Sequence, residues 1–226
     1  MLDERLALAA SLWSPCSLGA DIGTDHALLP CHLLEQGVCE RMILTDLSEK
    51  ALAHARREVD KRGLADRISL RCGDGLSVID EPCGCISVTG MGGRTIAGIL
   101  SRGRDRLCGA ALVVCAHTEQ DEVRRCFRRI GYRIVREEPC VCSGHAYVIW
   151  RAEPGEMRLT PLEEATGREL FASDPSRLIP YLRMRLDVLD KRLRGLRSAR
   201  EPDPEAIAWQ MAQYERYREV LDRESP

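Results

Sequence analysis

Residues 20–30 read ADIGTDHALLP, an apolar strand end running into a polar loop and then into a helix start. Proline is tolerated in a helix only in the first turn, so Pro30 predicts a helix beginning near Leu28, with GTDH (23–26) left as loop. The same strand–loop–helix unit recurs outward from this stretch. SLGADI, RMILTD, RISLRC and CISVTG are short apolar runs, separated by helical patterns such as SEKALAHARREVDKRG. That alternation predicts a parallel sheet with crossover helices. GAALVVCA (109–116) and the helical EQDEVRRCFRRIG extend it, and YRIVREEPCVC and HAYVIWRAE, split by Ser143-Gly144, read as an antiparallel hairpin closing the edge. The fold class is α/β, a Rossmann-like doubly wound sheet with an antiparallel edge.

After Pro154-Gly155 the pattern changes. Leu178, Leu182, Leu186, Leu189, Leu193 and Leu196 form one helical seam; Pro202 and Pro204 interrupt it; Ile207, Met211, Tyr214, Tyr217 and Leu221 begin a second. A C-terminal α-helical hairpin of coiled-coil type is expected. The division falls into residues 1–154, a cofactor-binding domain, and 155–226, the hairpin.

Composition narrows the class. The 226 residues are 44% hydrophobic with net charge −2, which gives no overall attraction to nucleic acid or anionic membrane. No apolar run approaches the roughly 20 residues of a membrane span, and the opening MLDERLALAASLW is acidic where a secretory leader is basic. A cytoplasmic chain is expected. The eleven cysteines show no CxxC spacing and sit mostly in apolar runs, so they read as reduced, buried hydrophobes, with no metal site among them.

In an open parallel sheet, ligands bind beyond the carboxyl ends of the strands, at the switch point. A pyrophosphate loop needs G-x-G-x-x-G so that phosphate meets bare backbone at a helix start. Here Gly23 holds the first position, while Asp25 and Leu28 hold the others. A carboxylate repels phosphate and attracts a cation, so the loop residues Asp21, Gly23, Thr24 and Asp25 suit S-adenosylmethionine, which carries a sulfonium and an amino group and no phosphate. Asp46 ends the second strand where ribose hydroxyls are met; Ser48 just after it is also a helix-cap candidate. Gly73, Asp74 and Gly75 follow the third strand, with Asp74 placed to accept from an adenine amino group. Gly90 and Met91, in TGMGG, follow the fourth. Asp25 has a second reading, as a cap of the following helix.

These residues together resemble the bacterial tRNA (adenine-22 N1)-methyltransferase family, which is S-adenosylmethionine-dependent. The matches are Arg5-Leu6, the A-D-I-G-[ST]-D-H-A loop at 20–27, Asp46, G-D-G-L at 73–76, G-M-G-G at 90–93, and Gly131, Tyr132, Ile134, Glu137 and Tyr147 near the sheet's end. Leu28 stands where the family has tyrosine, and Cys115-Ala116-His117 where it has Q-P-N. The resemblance implies methyl transfer to adenine N1 in tRNA, with Asp25, seconded by His26, near the developing positive ring charge, and Arg5 and His117 on the substrate side. TGMGG lacks the N-P-P-Y type of segment that holds an exocyclic amine, which favours a ring nitrogen.

For the RNA, residues 177–200 carry net +6 and 201–226 net −4. Arg183, Lys191, Arg192, Arg194 and Arg197 are the phosphate candidates; pairing of the basic helix with the acidic one is the alternative. A second basic run, Arg124, Arg125, Arg128 and Arg129, reads as a solvated helix face. Two rival functions share the cofactor loops: a small-molecule methyltransferase, and a cofactor-binding RNA-interaction protein with lost or altered activity. A monomer or weak homodimer is expected, without membrane association.

Overall fold

The computed structural model describes residues 2–224. Helix α1 (Glu4–Ser11) leads into β1 (Cys16–Ile22), α2 (Leu28–Glu35), β2 (Cys39–Asp46), α3 (Glu49–Lys61), β3 (Ile68–Cys72), β4 (Cys85–Met91), α4 (Gly93–Arg102), β5 (Ala111–Ala116) and α5 (Gln120–Ile130). The hairpin β6 (Tyr132–Cys142) and β7 (His145–Pro154) follows, then α6 (Pro161–Thr166), α7 (Pro175–Arg197) and α8 (Pro204–Glu224). The seven strands run in the order β3-β2-β1-β4-β5-β7-β6. The first five are parallel and β7 is antiparallel to both neighbours. The switch point lies between β1 and β4, so both loops end at the same place. Ser143 and Gly144 both have positive φ, 50° and 75°, as a two-residue hairpin turn requires.

Both sheet faces are covered, which is why these strands read as unbroken apolar runs. Along β5, Leu112, Val114 and Ala116 enter the core beneath α4, α5 and α7, while Val113 and Cys115 enter the core beneath α1, α2 and α3. The side chains alternate because successive Cβ atoms leave a strand on opposite faces.

The helical hairpin is rooted in the sheet's core rather than hung from it. Leu178, Tyr181, Leu182, Leu186, Leu189, Tyr217 and Val220 belong to the same apolar cluster as Val148 and Trp150. Asp203 caps α8, accepting from the backbone N–H of Glu205 and Ala206. Glu137 on β6 fastens the connection. It accepts from Arg124 Nε and Trp150 Nε1, each at 2.6 Å, and from the backbone N–H of Arg168 and Leu170. Arg124 is fully buried, so of the run 124–129 only Arg128 and Arg129 lie on the solvated face expected from its charge. Arg125 and Arg128 likewise pair with Asp121, Glu122 and Glu164. The local cause is the amphipathic period of α5, which turns Val123, Arg124 and Phe127 inward.

Candidate active site

Helix α2 starts at Leu28, with Pro30 in its first turn, so GTDH is loop. Ala27 precedes the helix in the left-handed region, φ 51°, and no side chain caps the helix. Asp25 is therefore not a cap. It projects to solvent beside His26 and lies 3.2 Å from His26 Nε2 and 3.1 Å from Nδ1 of His54 on α3. The two imidazoles stack nearly parallel with centroids 6.0 Å apart. Among the described residues, ligand atoms of Asp25, His26 and His54 gather within 4.8 Å, a set chemically suited to a divalent transition metal as well as to fixing the carboxylate. His54 was invisible in the sequence, where it is a lone histidine in KALAHA.

Beneath this exposed carboxylate lies a buried one. Asp21, near the end of β1, accepts hydrogen bonds from the hydroxyls of Thr24 and Ser87. Burial pushes its pKa up to about 6 despite those bonds, and no ion pair among the described residues offsets it. Thr24 is buried and its hydroxyl is turned inward, so it shapes the loop through Asp21. Ser87 is a fully buried hydroxyl within the largely apolar CISVTG.

The remaining loops surround this pair. Gly23 has φ +77°, and a Cβ there would sit 1.8 Å from Met91 Cε, so bare backbone lets the thioether close over the loop. Gly90 (φ +82°) occupies an irregularity in the β4–β5 register between Thr89 and Met91 and has open space around it. The side chain of Asp46 accepts from Ser48 N–H at 2.7 Å, and Ser48 caps α3 through Ala51 N–H. Asp74, framed by Gly73 and Gly75, is paired with Arg102 at 3.0 Å; both side chains are exposed, so this pairing is weak and exchangeable.

On the far side of Met91, His117 N–H donates to Met91 O at 2.9 Å. Its imidazole packs edge-on to Tyr147 at 5.5 Å, and Arg5 lies 5.6 Å over the same tyrosine ring. Partial desolvation and the Arg5 charge lower the His117 pKa, which keeps the ring neutral near pH 7. Of Cys115-Ala116-His117, the first two are fully buried on opposite sheet faces, so only His117 presents its side chain at the site.

The α7 cations are distributed unevenly. Arg194 pairs with Asp190 at 2.6 Å and Arg197 reaches Met211 Sδ at 3.2 Å. Arg183, Lys191 and Arg192 are exposed and carry no ion pair among the described residues. Among the described residues no ion pair joins α7 to α8; their seam is apolar, and Arg183, Lys191, Arg192, Arg194 and Arg197 of α7 face water.

A doubly wound sheet with an antiparallel β7, an acidic residue at the end of β1, and glycine loops after β1 and β4 defines a Rossmann-like methyltransferase. Residues 2–150 match the family model described as a methyltransferase domain, and the chain belongs to that family. Within it, the resemblance to tRNA (adenine-22 N1)-methyltransferases is borne out. The Bacillus subtilis (strain 168) tRNA (adenine(22)-N(1))-methyltransferase is 33% identical over 157 residues, which is 69% of this chain and 66% of that protein's length. The crystal structure of the B. subtilis m1A22 tRNA methyltransferase TrmK superposes with TM-score 0.85 at 26% identity, covering 98% of this chain and 99% of the other. M. capricolum TrmK, solved with S-adenosyl-homocysteine, gives 0.82 at 25% identity over 98% of each chain.

Proposed function

We propose that the protein transfers a methyl group from S-adenosylmethionine to N1 of an adenine in tRNA, at position 22 by similarity to its relatives. The observation that carries this reading is the paired carboxylates of the β1 loop, Asp21 buried beneath and Asp25 held out of the helix above. The loop fits the cofactor, since Gly90 leaves open space beside it and the acidic lining suits a cation without phosphate. When bound, S-adenosylmethionine supplies an electrophilic methyl group. Gly23, Asp21 and Met91 would hold its methionine side, Asp46 the ribose, and the 73–75 loop the adenine, with Asp74 exchanging Arg102 for the exocyclic amine.

Adenine N1 has a free lone pair at neutral pH, so positioning dominates over proton removal. N1 lies on the Watson–Crick edge, and the target base must be unpaired or flipped out to reach it. As the bond forms, the ring gains positive charge, and Asp25 stabilises it, held in orientation by His26 and His54. Arg5 and His117 flank the substrate side. In this reading residues 1–154 carry the cofactor and 155–226 face the RNA, with Arg183, Lys191, Arg192, Arg194 and Arg197 along phosphates. The chain acts in the cytoplasm as a monomer or weak homodimer; no helix among the described residues is long and apolar enough to cross a membrane. A basic, water-facing α7 stands where a small-molecule enzyme would have an apolar lid.

The test is incubation with unmodified tRNA and isotope-labelled cofactor, followed by mass-spectrometric mapping of the nucleoside. Label in 1-methyladenosine at position 22 is expected; measurable cofactor binding without label in tRNA refutes the reading.

A further inference from the structure

Between the carboxyl end of β5 and the helical hairpin lies a cleft of about 500 Å³, lined in part by His117, Gln120, Arg185, Arg192, Trp209 and Gln213. That volume falls within the roughly 300–1,000 Å³ of small-molecule sites. Its carboxylates are spoken for: Glu119 pairs with Arg94 at 2.7 Å and Asp121 with Arg125 at 2.5 Å. Arg185 and Arg192 have no ion pair among the described residues. The Nε of Arg185 is also buried without an acceptor, an expense that a folded chain ordinarily avoids. Trp209 is 43% exposed, whereas Trp13 and Trp150 are 7% and 0% exposed. A partly buried guanidinium without an ion pair and an exposed indole lining one polar cleft match the two halves of a nucleotide: phosphate and base.

The walls are fixed before any ligand arrives. Tyr181 of α7 donates to Gln120 Oε1 at 3.0 Å, tying the hairpin to the start of α5, and Tyr217 donates to Thr166 O at 3.3 Å. His117 lines this cleft and is hydrogen-bonded through its backbone to Met91, so the cleft abuts the site.

We propose that this cleft is a nucleotide subsite of the RNA substrate, separate from the cofactor loops. Arg185, with Arg192, binds a phosphate, and Trp209 stacks on a base neighbouring the target. The proposal rests on the RNA methyltransferase reading and assigns the part of the RNA that lies between the reacting base and α7.

Trp209 is its own probe, because the other two tryptophans are buried. Titration with an unmodified tRNA transcript should quench the exposed emission. Trp209→Leu should abolish that quenching and raise KM for tRNA about tenfold, with kcat and cofactor affinity unchanged; Trp209→Phe should restore most of the affinity. Arg185→Gln should raise KM similarly and make binding less steeply salt-dependent. Should Arg185→Gln fail to fold, the exposed Trp209 variants still decide the matter. KM within twofold of wild type in the Trp209→Leu variant overturns the subsite, whereas a wild-type protein that methylates no tRNA overturns the underlying reading instead.

Discussion

Two buried carboxylates, Asp21 and Glu137, stand in opposite situations. Glu137 is surrounded by a guanidinium, an indole N–H and two backbone N–H groups, all donating to it. Asp21 has two hydroxyls and no cation, and its pKa is pushed up to about 6. A fully compensated buried charge is part of the framework; an under-compensated one favours any cation brought against it. The contrast separates a carboxylate that holds the chain together from one that, under the proposed function, meets the cofactor.

Substituting each carboxylate sharpens the contrast. Glu137→Ala leaves Arg124 buried without its partner and frees the Trp150 indole N–H and two backbone N–H groups, so a loss of about 3–5 kcal/mol is expected in urea unfolding. A loss below about 1 kcal/mol would remove Glu137 from its place as the clamp. Asp25→Asn, which keeps the shape but removes the exposed charge, should lower kcat by about 100-fold with little effect on stability. An unchanged kcat in single-turnover assays breaks the catalytic assignment.

Asp21→Asn acts in the other direction on the free protein. The folded pKa of about 6 lies above the ordinary 3.8. Below 3.8 both states are protonated and no penalty exists; as pH rises toward 6 the unfolded chain ionises first, and stability falls. The free wild type should therefore lose roughly 1–3 kcal/mol between about pH 4 and pH 6, and Asp21→Asn should flatten that part of the curve. Cofactor affinity should show the mirror image, rising through about pH 6 in the wild type only. Calorimetric titration at several pH values checks both. The smallest effect is expected at His117→Asn, which changes the one side chain of the 115–117 segment that reaches the site; kcat/KM for tRNA should move by about fivefold or less.

Much of the sheet and its loops was legible because periodicity reports burial directly. Unbroken apolar runs in β1, β2 and β4 announced a sheet covered on both faces, and Pro30 located the start of α2. The family's motifs pointed to Asp25 and Glu137 alike, without distinguishing a reactive group from a clamp. That distinction lives in partners far along the chain: His54 is 29 residues from Asp25 and Ser87 is 66 from Asp21. Arg124 misled for the same reason, since four arginines in six residues look solvated until Glu137 and Trp150 arrive from the next two strands. Arg185 and Trp209 lie on different helices, and nothing local in either seam joins them.

The sheet's order also sets a timetable. β7 is the last strand made, yet it pairs with β5 on one side and β6 on the other, so β6 reaches the sheet only through its younger neighbour. Until residue 154 has left the ribosome, β5 presents a bare edge of Leu112, Val113 and Val114, the kind of surface that seeks another strand. The two-residue turn at Ser143-Gly144 brings β6 and β7 together by a local contact before either meets the sheet. A hairpin closed by so local a turn can meet the open edge as one unit, and Glu137, carried on β6, comes with it to meet the backbone of Arg168 and Leu170.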